Sequence, residues 1–297
     1  MPTVTCTICG REMPEDEVAK VGERAVCAVC KPVFLQRVLQ GETDALTPLD
    51  VGGRVMGFWE TVGAGWSVIR RDWPALFAVK LLVVLPSEYL LLKLPAVDAE
   101  TLAGVARSFR REQLAESLIG VFATLAVAWM VRERVEGRHV SMWRALGHAV
   151  RRWPMAVLTG WLEAIIIVFT LLLLIVPGLI YAGFYTFSTV IVSLRGRAGM
   201  DALNYSKRLV KGRWWRVFGY ALGFMAPTIV VAIAAGFANE FVPVYPGSVL
   251  VENAAISFSV LFSTVWLTVF FLNLDAVGAA EPGSARLSSP SASGDRG

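Results

Sequence analysis

Long apolar blocks separated by short polar segments make up most of the chain after residue 55. Each block is close to the roughly 20 residues that a helix needs to cross about 30 Å of hydrocarbon. A tight hairpin is the better interpretation of the Val176-Pro177-Gly178 junction, because one helix through both flanking blocks would be roughly 60 Å long. The pattern therefore predicts six transmembrane helices, at about residues 74–94, 113–131, 154–176, 177–194, 215–237 and 249–272.

A segment with helical periodicity precedes each odd-numbered span, at 55–73, 140–153 and 200–214. Its apolar residues recur every three or four positions, arginines occupy the other faces, and a tryptophan stands near the junction with the span. This pattern is typical of an amphipathic helix in the membrane interface, and polar loops with scattered aromatic residues are the alternative. Pro74 and Pro154 then fit the first turn of a new helix. The membrane domain is predicted to consist of three units, each an interfacial helix followed by a hairpin of two spans.

Composition agrees with a membrane protein and divides the chain into four parts. The sequence is 55% hydrophobic and 18% charged, where a soluble domain carries about 25% charged residues. Residues 1–39 form a small polar module with all the cysteines, and residues 40–54 lack periodicity and are predicted to be a linker. The membrane domain covers 55–275, and the Ser-, Pro- and Gly-rich residues 276–297 are predicted to be disordered.

The distribution of Lys and Arg predicts which side of the membrane each loop faces. Eight precede the first span, six lie between spans two and three, and seven lie between spans four and five, whereas 176–178 and 238–248 hold none. Cytoplasmic loops are enriched in these residues, so both termini are predicted to be cytoplasmic. The loop 95–112 is an exception, because it carries three arginines on the predicted outer side. No apolar leader is seen in the first 25 residues. The Arg-, Ala-, Gly- and Val-rich composition indicates the cytoplasmic membrane of a bacterium.

The cysteines form two pairs, Cys6-x2-Cys9 and Cys27-x2-Cys30, with 17 residues between the pairs. This spacing falls in the window for structural zinc, in which two knuckle turns supply four thiolates to one tetrahedral ion. The residues between the pairs are expected to form two short strands about a turn near Gly22. We therefore predict a zinc ribbon that holds one structural Zn²⁺. Two disulfides are the alternative, and they would require an oxidising compartment.

The cysteine module is expected to bind a protein partner. Zinc ribbons can also bind nucleic acid, but the basic residues of this segment are offset by acidic ones and form no basic stripe, so nucleic acid is not expected as a partner. The lipid bilayer is the other expected partner. The sequence does not indicate an oligomeric state.

Charged residues within predicted spans are candidate functional groups, because a charge in hydrocarbon is costly. Lys80, Glu88 and Glu163 are the residues in question. Lys80 and Glu163 are expected at similar depths from the cytoplasmic face, roughly 9 and 13 Å at 1.5 Å per residue. We predict that they form an ion pair between spans one and three; a proton or substrate relay is the alternative.

Part of the chain resembles the membrane domain found beside glycerophosphoryl diester phosphodiesterases, and related six-helix bacterial families of unknown function. The shared pattern is Pro-Gly at the start of a span, followed after that span by Ala-Leu-x2-Ser-x2-Leu-x2-Gly-x2-Trp. The matching residues are Pro177, Gly178, Ala202, Leu203, Ser206, Leu209, Gly212 and Trp215. The family often has an acidic residue after the fourth span, where this chain has Leu194-Arg195. The phosphodiesterase domain has no counterpart, so the resemblance implies a membrane fold and no hydrolase activity.

These observations favour an all-α polytopic membrane protein with an N-terminal zinc ribbon. We find no nucleophile elbow, phosphate-binding loop or metal-hydrolase motif, and no enzymatic function is predicted. The expected function is that of a scaffold or regulator whose cytosolic ribbon docks a protein. The alternative is a transporter or lipid-handling protein with a polar path through the membrane, and an intramembrane enzyme ranks third.

Overall fold

The computed structural model describes residues 3–5, 12–14, 18–21, 24–32, 51, 54–93, 116–241 and 246–280. Four short strands lie in the N-terminal module. β1 (Thr3–Thr5) pairs antiparallel with β2 (Glu12–Pro14), and β3 (Val18–Val21) pairs antiparallel with β4 (Arg24–Cys27). The second pair confirms the two strands predicted between the cysteine pairs. Val26 of β4 is fully buried, which gives this small module an apolar centre.

The first helix, α1 (Phe58–Lys93), consists of two helical segments joined at Asp72, where the backbone leaves helical geometry (φ −116°, ψ 19°). The kink separates the amphipathic segment from the first predicted span. Pro74 follows two residues later, in the first turn of the second segment, where its missing N–H costs no hydrogen bond. The kink therefore falls at the position where the sequence predicted a new helix to begin, and span one itself stays a prediction.

A π-helical turn (Glu116–Gly120) leads into α2 (Val121–Val135), which lies at the centre of the helical domain. α2 packs against α1 and against three helices that come later in the chain. Nine of its residues are buried, and they lie on all of its faces. Among them are Ala123, Ala126 and Ala128, whose small side chains let neighbouring helices approach closely.

The next two helices, α3 (Met142–Leu173) and α4 (Ile175–Tyr185), form the hairpin predicted near Pro177. The chain leaves helical geometry at Leu174 (φ −160°, ψ 129°), and Gly178 then packs against Leu171, whose Cα would lie 2.9 Å from a Cβ at that glycine. The reversal comes before Pro177 because the proline has no N–H and tolerates only the first turn of the new helix.

The second interfacial segment is not a separate helix, contrary to the prediction. Residues 142–153 and the span that follows belong to α3, and Pro154 lies inside that helix rather than in a first turn. A proline within a helix removes one i→i−4 hydrogen bond, and neighbouring polar groups or water can satisfy the carbonyl that it frees. The predicted three units therefore differ: the helix is kinked before span one and continuous before span three.

A short break separates α4 from α5 (Ser188–Arg195), and together they cover predicted span four. Gly196 ends α5 with a left-handed backbone (φ 67°). Three helices follow: α6 (Met200–Val210), α7 (Trp214–Phe241) and α8 (Pro246–Ala280). α6 is the predicted third interfacial helix, with Leu203 and Val210 buried on its apolar face. α8 continues beyond residue 275, where the membrane domain was predicted to end.

Four helical segments among the described residues are long and apolar enough to cross a membrane: Met142–Leu173, Ile175–Arg195, Trp214–Ala235 and Ala254–Gly278. They correspond to predicted spans three to six, so the chain is a multi-pass helical membrane protein. Residues 94–115 lie outside the described residues, and spans one and two stay a prediction. α3 and α7 expose many large apolar side chains, which fit a lipid environment.

Candidate functional site

The second cysteine pair lies in a turn at the end of β4. The Cys30 backbone N–H donates to Cys27 Sγ at 3.3 Å and to the Cys27 carbonyl at 3.0 Å. Cys27 is 4% exposed, whereas Val29 between the two cysteines is 77% exposed. The sequence therefore placed these two predicted metal ligands in what the structure shows to be a tight turn.

Cys6 and Cys9, the other two predicted metal ligands, lie outside the described residues. Within the part of the chain that the structure describes, no group of three or more His, Cys, Asp or Glu side chains is placed to hold a metal ion. The described residues therefore do not support metal binding. The four-cysteine zinc site stays a prediction.

The predicted intramembrane charges are not brought together as expected. Ser188 Oγ, at the start of α5, donates a hydrogen bond to Glu163 Oε2 on α3. The ion pairs of the described residues do not include one between Glu163 and Lys80. Lys80 is buried, with 7% exposed, and takes part in an interaction of its own. Glu88 lies in the second segment of α1, and its side chain is outside the described residues. Glu163 thus links α3 to α5 rather than α3 to α1.

A buried ion pair that the sequence analysis missed lies at the kink of α1. Arg134 Nε and Nη2, in the last turn of α2, donate to Asp72 Oδ2 and Oδ1 respectively. The two side chains are 8% and 10% exposed. This two-pronged contact suits the planar guanidinium and joins the start of predicted span one to the end of predicted span two. Asp72 stands directly before Trp73-Pro74, and that capping position was the available signal.

A second acidic residue, Asp275, is buried near the end of α8, with 5% exposed. Arg195 Nη2, at the end of α5, donates to Asp275 Oδ2, and the Tyr205 hydroxyl of α6 donates to Asp275 Oδ1. Burial and this hydrogen bond raise the pKa of Tyr205 to about 12, so the phenol keeps its proton and remains a donor. Asp275 was missed because predicted span six ended at residue 272.

These contacts lie at one end of the helical bundle, and we call them the charged layer (Asp72, Arg132, Arg134, Arg195, Tyr205, Asp275). Arg132 Nη1 joins its two halves, because it donates to the Leu194 carbonyl at 3.3 Å. The layer unites the ends of α2, α5 and α8 with the kink of α1. The sequence analysis predicted that the C-terminal ends of α2, α5 and α8 and the kink of α1 all lie on the cytoplasmic side. Their contact in one layer agrees with spans that alternate in direction.

Asn273, on α8, holds the chain segment that precedes α1. Its side-chain nitrogen donates to the Val51 and Arg54 carbonyls, both at 2.8 Å, and its oxygen accepts from the Met56 N–H at 2.9 Å. Asn273 is fully buried. The amide therefore fixes the chain at the point where the predicted linker meets the membrane domain. Sequence reasoning missed this residue for the same reason as Asp275.

Ser206 of α6 closes the break between α4 and α5. Its hydroxyl donates to the Phe184 carbonyl at 2.7 Å and accepts from the Phe187 N–H at 3.3 Å. Both groups belong to the interrupted span, and backbone groups in a membrane helix need such partners. Ser206 is one of the residues in the pattern by which this chain resembles phosphodiesterase-associated membrane domains, and its contacts indicate a structural role.

Residues 140–277 match a protein family described as "Domain of unknown function (DUF7847)". The match covers α3 to α8 and amounts to just under half of the chain. Arg195, Tyr205, Ser206, Asn273 and Asp275 fall within it. The cysteine module and α1 fall outside it. No curated protein and no solved structure matches the chain.

Proposed function

We propose that this protein is a membrane-anchored scaffold or regulator whose N-terminal cysteine module folds around one zinc ion and docks a protein partner. The observation that carries the proposal is the turn in which the Cys30 N–H donates to Cys27 Sγ. Cys6, Cys9, Cys27 and Cys30 would hold the ion as four thiolates. Such a closed shell stabilises a fold and leaves no position for a substrate.

The polar groups of the membrane domain support an anchoring role. Asp72 and Asp275 each have a charged partner on another helix: Arg134 and Arg195 respectively. Groups that are satisfied within the protein hold helices together, whereas a transport path needs polar groups that can exchange partners. The exposed Val29 on the cysteine turn offers an apolar contact point for a partner outside the membrane.

Zinc content of the full-length protein, purified in mild detergent without reductant, tests the first half of the proposal. We expect one zinc per chain in the wild type and none in Cys27→Ser. Ala28→Ser introduces the same side chain one residue later and is expected to keep the metal, because Ala28 is exposed and is no ligand. Two disulfides and no zinc would contradict the proposal, and would also place this end of the chain in an oxidising compartment.

The docking half is tested by a photo-crosslinking amino acid at position 29 in the native host. A discrete adduct that is present in the Ala28→Ser background and lost with Cys27→Ser is expected. Loss is expected because the module cannot keep its fold without the metal. An adduct pattern that is unchanged by Cys27→Ser would refute docking by a zinc-dependent module.

Transport or lipid handling is the second candidate function. The hydrogen bond between Glu163 and Ser188 favours it, since it places a carboxyl group on one membrane-crossing segment beside a hydroxyl on another. Glu163→Gln keeps the shape of the side chain and removes the titratable group. A flux across reconstituted vesicles that this variant abolishes would support transport over scaffolding.

A further inference from the structure

α6 and the turns on either side of it carry a large excess of positive charge. Residues 195–216 contain seven Lys or Arg and one acidic residue, Asp201. This segment connects one membrane-crossing segment, which ends at Arg195, to the next, which begins at Trp214. Its charges therefore lie at the depth of the lipid headgroups. Trp215, which is 80% exposed, suits the same depth.

Tyr205 holds two arginines from this segment. The guanidinium carbons of Arg197 and Arg208 lie 5.1 and 5.7 Å from the centre of the same ring. Both residues are exposed, and the ion pairs of the described residues include neither. A guanidinium that rests on an aromatic ring loses side-chain freedom yet keeps N–H groups that can donate outward.

The acidic residue beside this cluster is already engaged. Asp275 accepts from Arg195 and from the Tyr205 hydroxyl, so its charge offsets that of Arg195. Arg197 and Arg208 add two further positive charges next to the tyrosine ring. Two guanidiniums ordered by one ring match a phosphoryl group, because arginine can donate two parallel hydrogen bonds to phosphate oxygens.

We propose that Arg197 and Arg208, ordered by Tyr205, bind the phosphoryl group of an anionic phospholipid in the leaflet that α6 contacts. A lipid is favoured over a soluble phosphate because the cluster lies between the ends of two membrane-crossing segments and beside an exposed tryptophan. This inference is independent of the docking function of the cysteine module. It assigns α6 the role of a headgroup site rather than that of a general basic surface.

The test measures lipid binding to the full-length protein in mild detergent by native mass spectrometry, with phosphatidylglycerol and phosphatidylcholine as probes. The wild type is expected to prefer phosphatidylglycerol. Arg197→Gln with Arg208→Gln is expected to weaken phosphatidylglycerol binding by about 10- to 30-fold, since each variant residue loses charge-assisted hydrogen bonds to the phosphoryl oxygens, which contribute about a factor of five per arginine. Lys211→Gln with Arg216→Gln removes the same charge from exposed positions that do not contact Tyr205, and should weaken binding by less than about threefold, because exposed charges that make no direct contact are screened by solvent.

A further double variant separates a specific site from a folding defect. Arg197→Lys with Arg208→Lys keeps the charge, and it is expected to weaken binding about fivefold because lysine cannot donate the paired hydrogen bonds. Equal losses in the two glutamine double variants would overturn the proposal in favour of diffuse attraction. Displacement of the lipid by millimolar inorganic phosphate would overturn it in favour of a soluble ligand.

Discussion

Replacing Ser206 with alanine removes one oxygen atom and tests whether this hydroxyl holds the broken span together. Ser206 is fully buried on α6. Its oxygen bonds to the Phe184 carbonyl and the Phe187 N–H at the junction of α4 and α5. The break cannot satisfy these two groups through the normal helical pattern, so the substitution leaves both without their partner. The change creates almost no cavity, which isolates the hydrogen bonds from packing.

The expected cost follows from the two bonds. A buried polar group that loses its partner costs about 1–3 kcal/mol. Side-chain hydrogen bonds in membrane proteins average about 0.6 kcal/mol, because the unfolded chain in the membrane also finds partners. For two groups, the free energy of unfolding should therefore fall by about 2 kcal/mol. For a domain of this size, that loss lowers the melting temperature by about 4–8 °C.

Unfolding of the purified protein in mixed micelles, followed by circular dichroism, measures this loss. Ser67→Ala is the matched control: the Ser67 hydroxyl donates to the Ala64 carbonyl at 2.7 Å within its own helix, where the helical backbone already supplies a partner. The control should change stability by less than about 0.5 kcal/mol. If Ser206→Ala were as stable as Ser67→Ala, the bridging role of Ser206 would be refuted.

Two further predictions concern the charged layer. Arg134→Met should lower the free energy of unfolding by about 3–5 kcal/mol, because it leaves Asp72 buried without its cation. The double variant with Asp72→Asn should recover much of the loss. A double variant that is no more stable than Arg134→Met would contradict this. Tyr205 has its pKa raised from 10.0 to about 12 in the folded protein. Its contribution to stability is therefore complete below pH 10 and is lost as the pH rises to about 12. The melting temperature of the wild type should fall more steeply across that range than that of Tyr205→Phe, and parallel curves would refute the role of the phenol.

The helical membrane fold was largely predictable because lipid leaves few options for a backbone. Apolar length predicted spans three to six, and the proline at 177 predicted the hairpin, although the break falls at Leu174. The prediction of a separate helix before span three was wrong, since Pro154 does not end α3. A proline is compatible with both outcomes, and its surroundings decide between them.

The candidate site was only partly predictable. The spacing of Cys27 and Cys30 predicted a tight turn, and the structure shows a turn there in which the Cys30 N–H donates to Cys27 Sγ. The zinc ion, the similarity to membrane domains beside phosphodiesterases and the cytoplasmic orientation stay predictions. Arg134 and Asp275 were overlooked because each is a single charge near the end of an apolar block. A charge in that position is typical of the end of a membrane span and gives no sign of a buried partner.

The sequence by itself determined where the chain is apolar, where its amphipathic segments lie and which cysteines form Cys-x2-Cys pairs. These properties depend on neighbours a few residues apart, so period and composition reveal them. Only the tertiary structure decided the partners of the polar groups. Glu163 meets Ser188 rather than Lys80, and Asp275 meets Arg195 and Tyr205, across separations of 25, 80 and 70 residues. Such pairs depend on which helices pack side by side, and hydropathy carries no information about that choice.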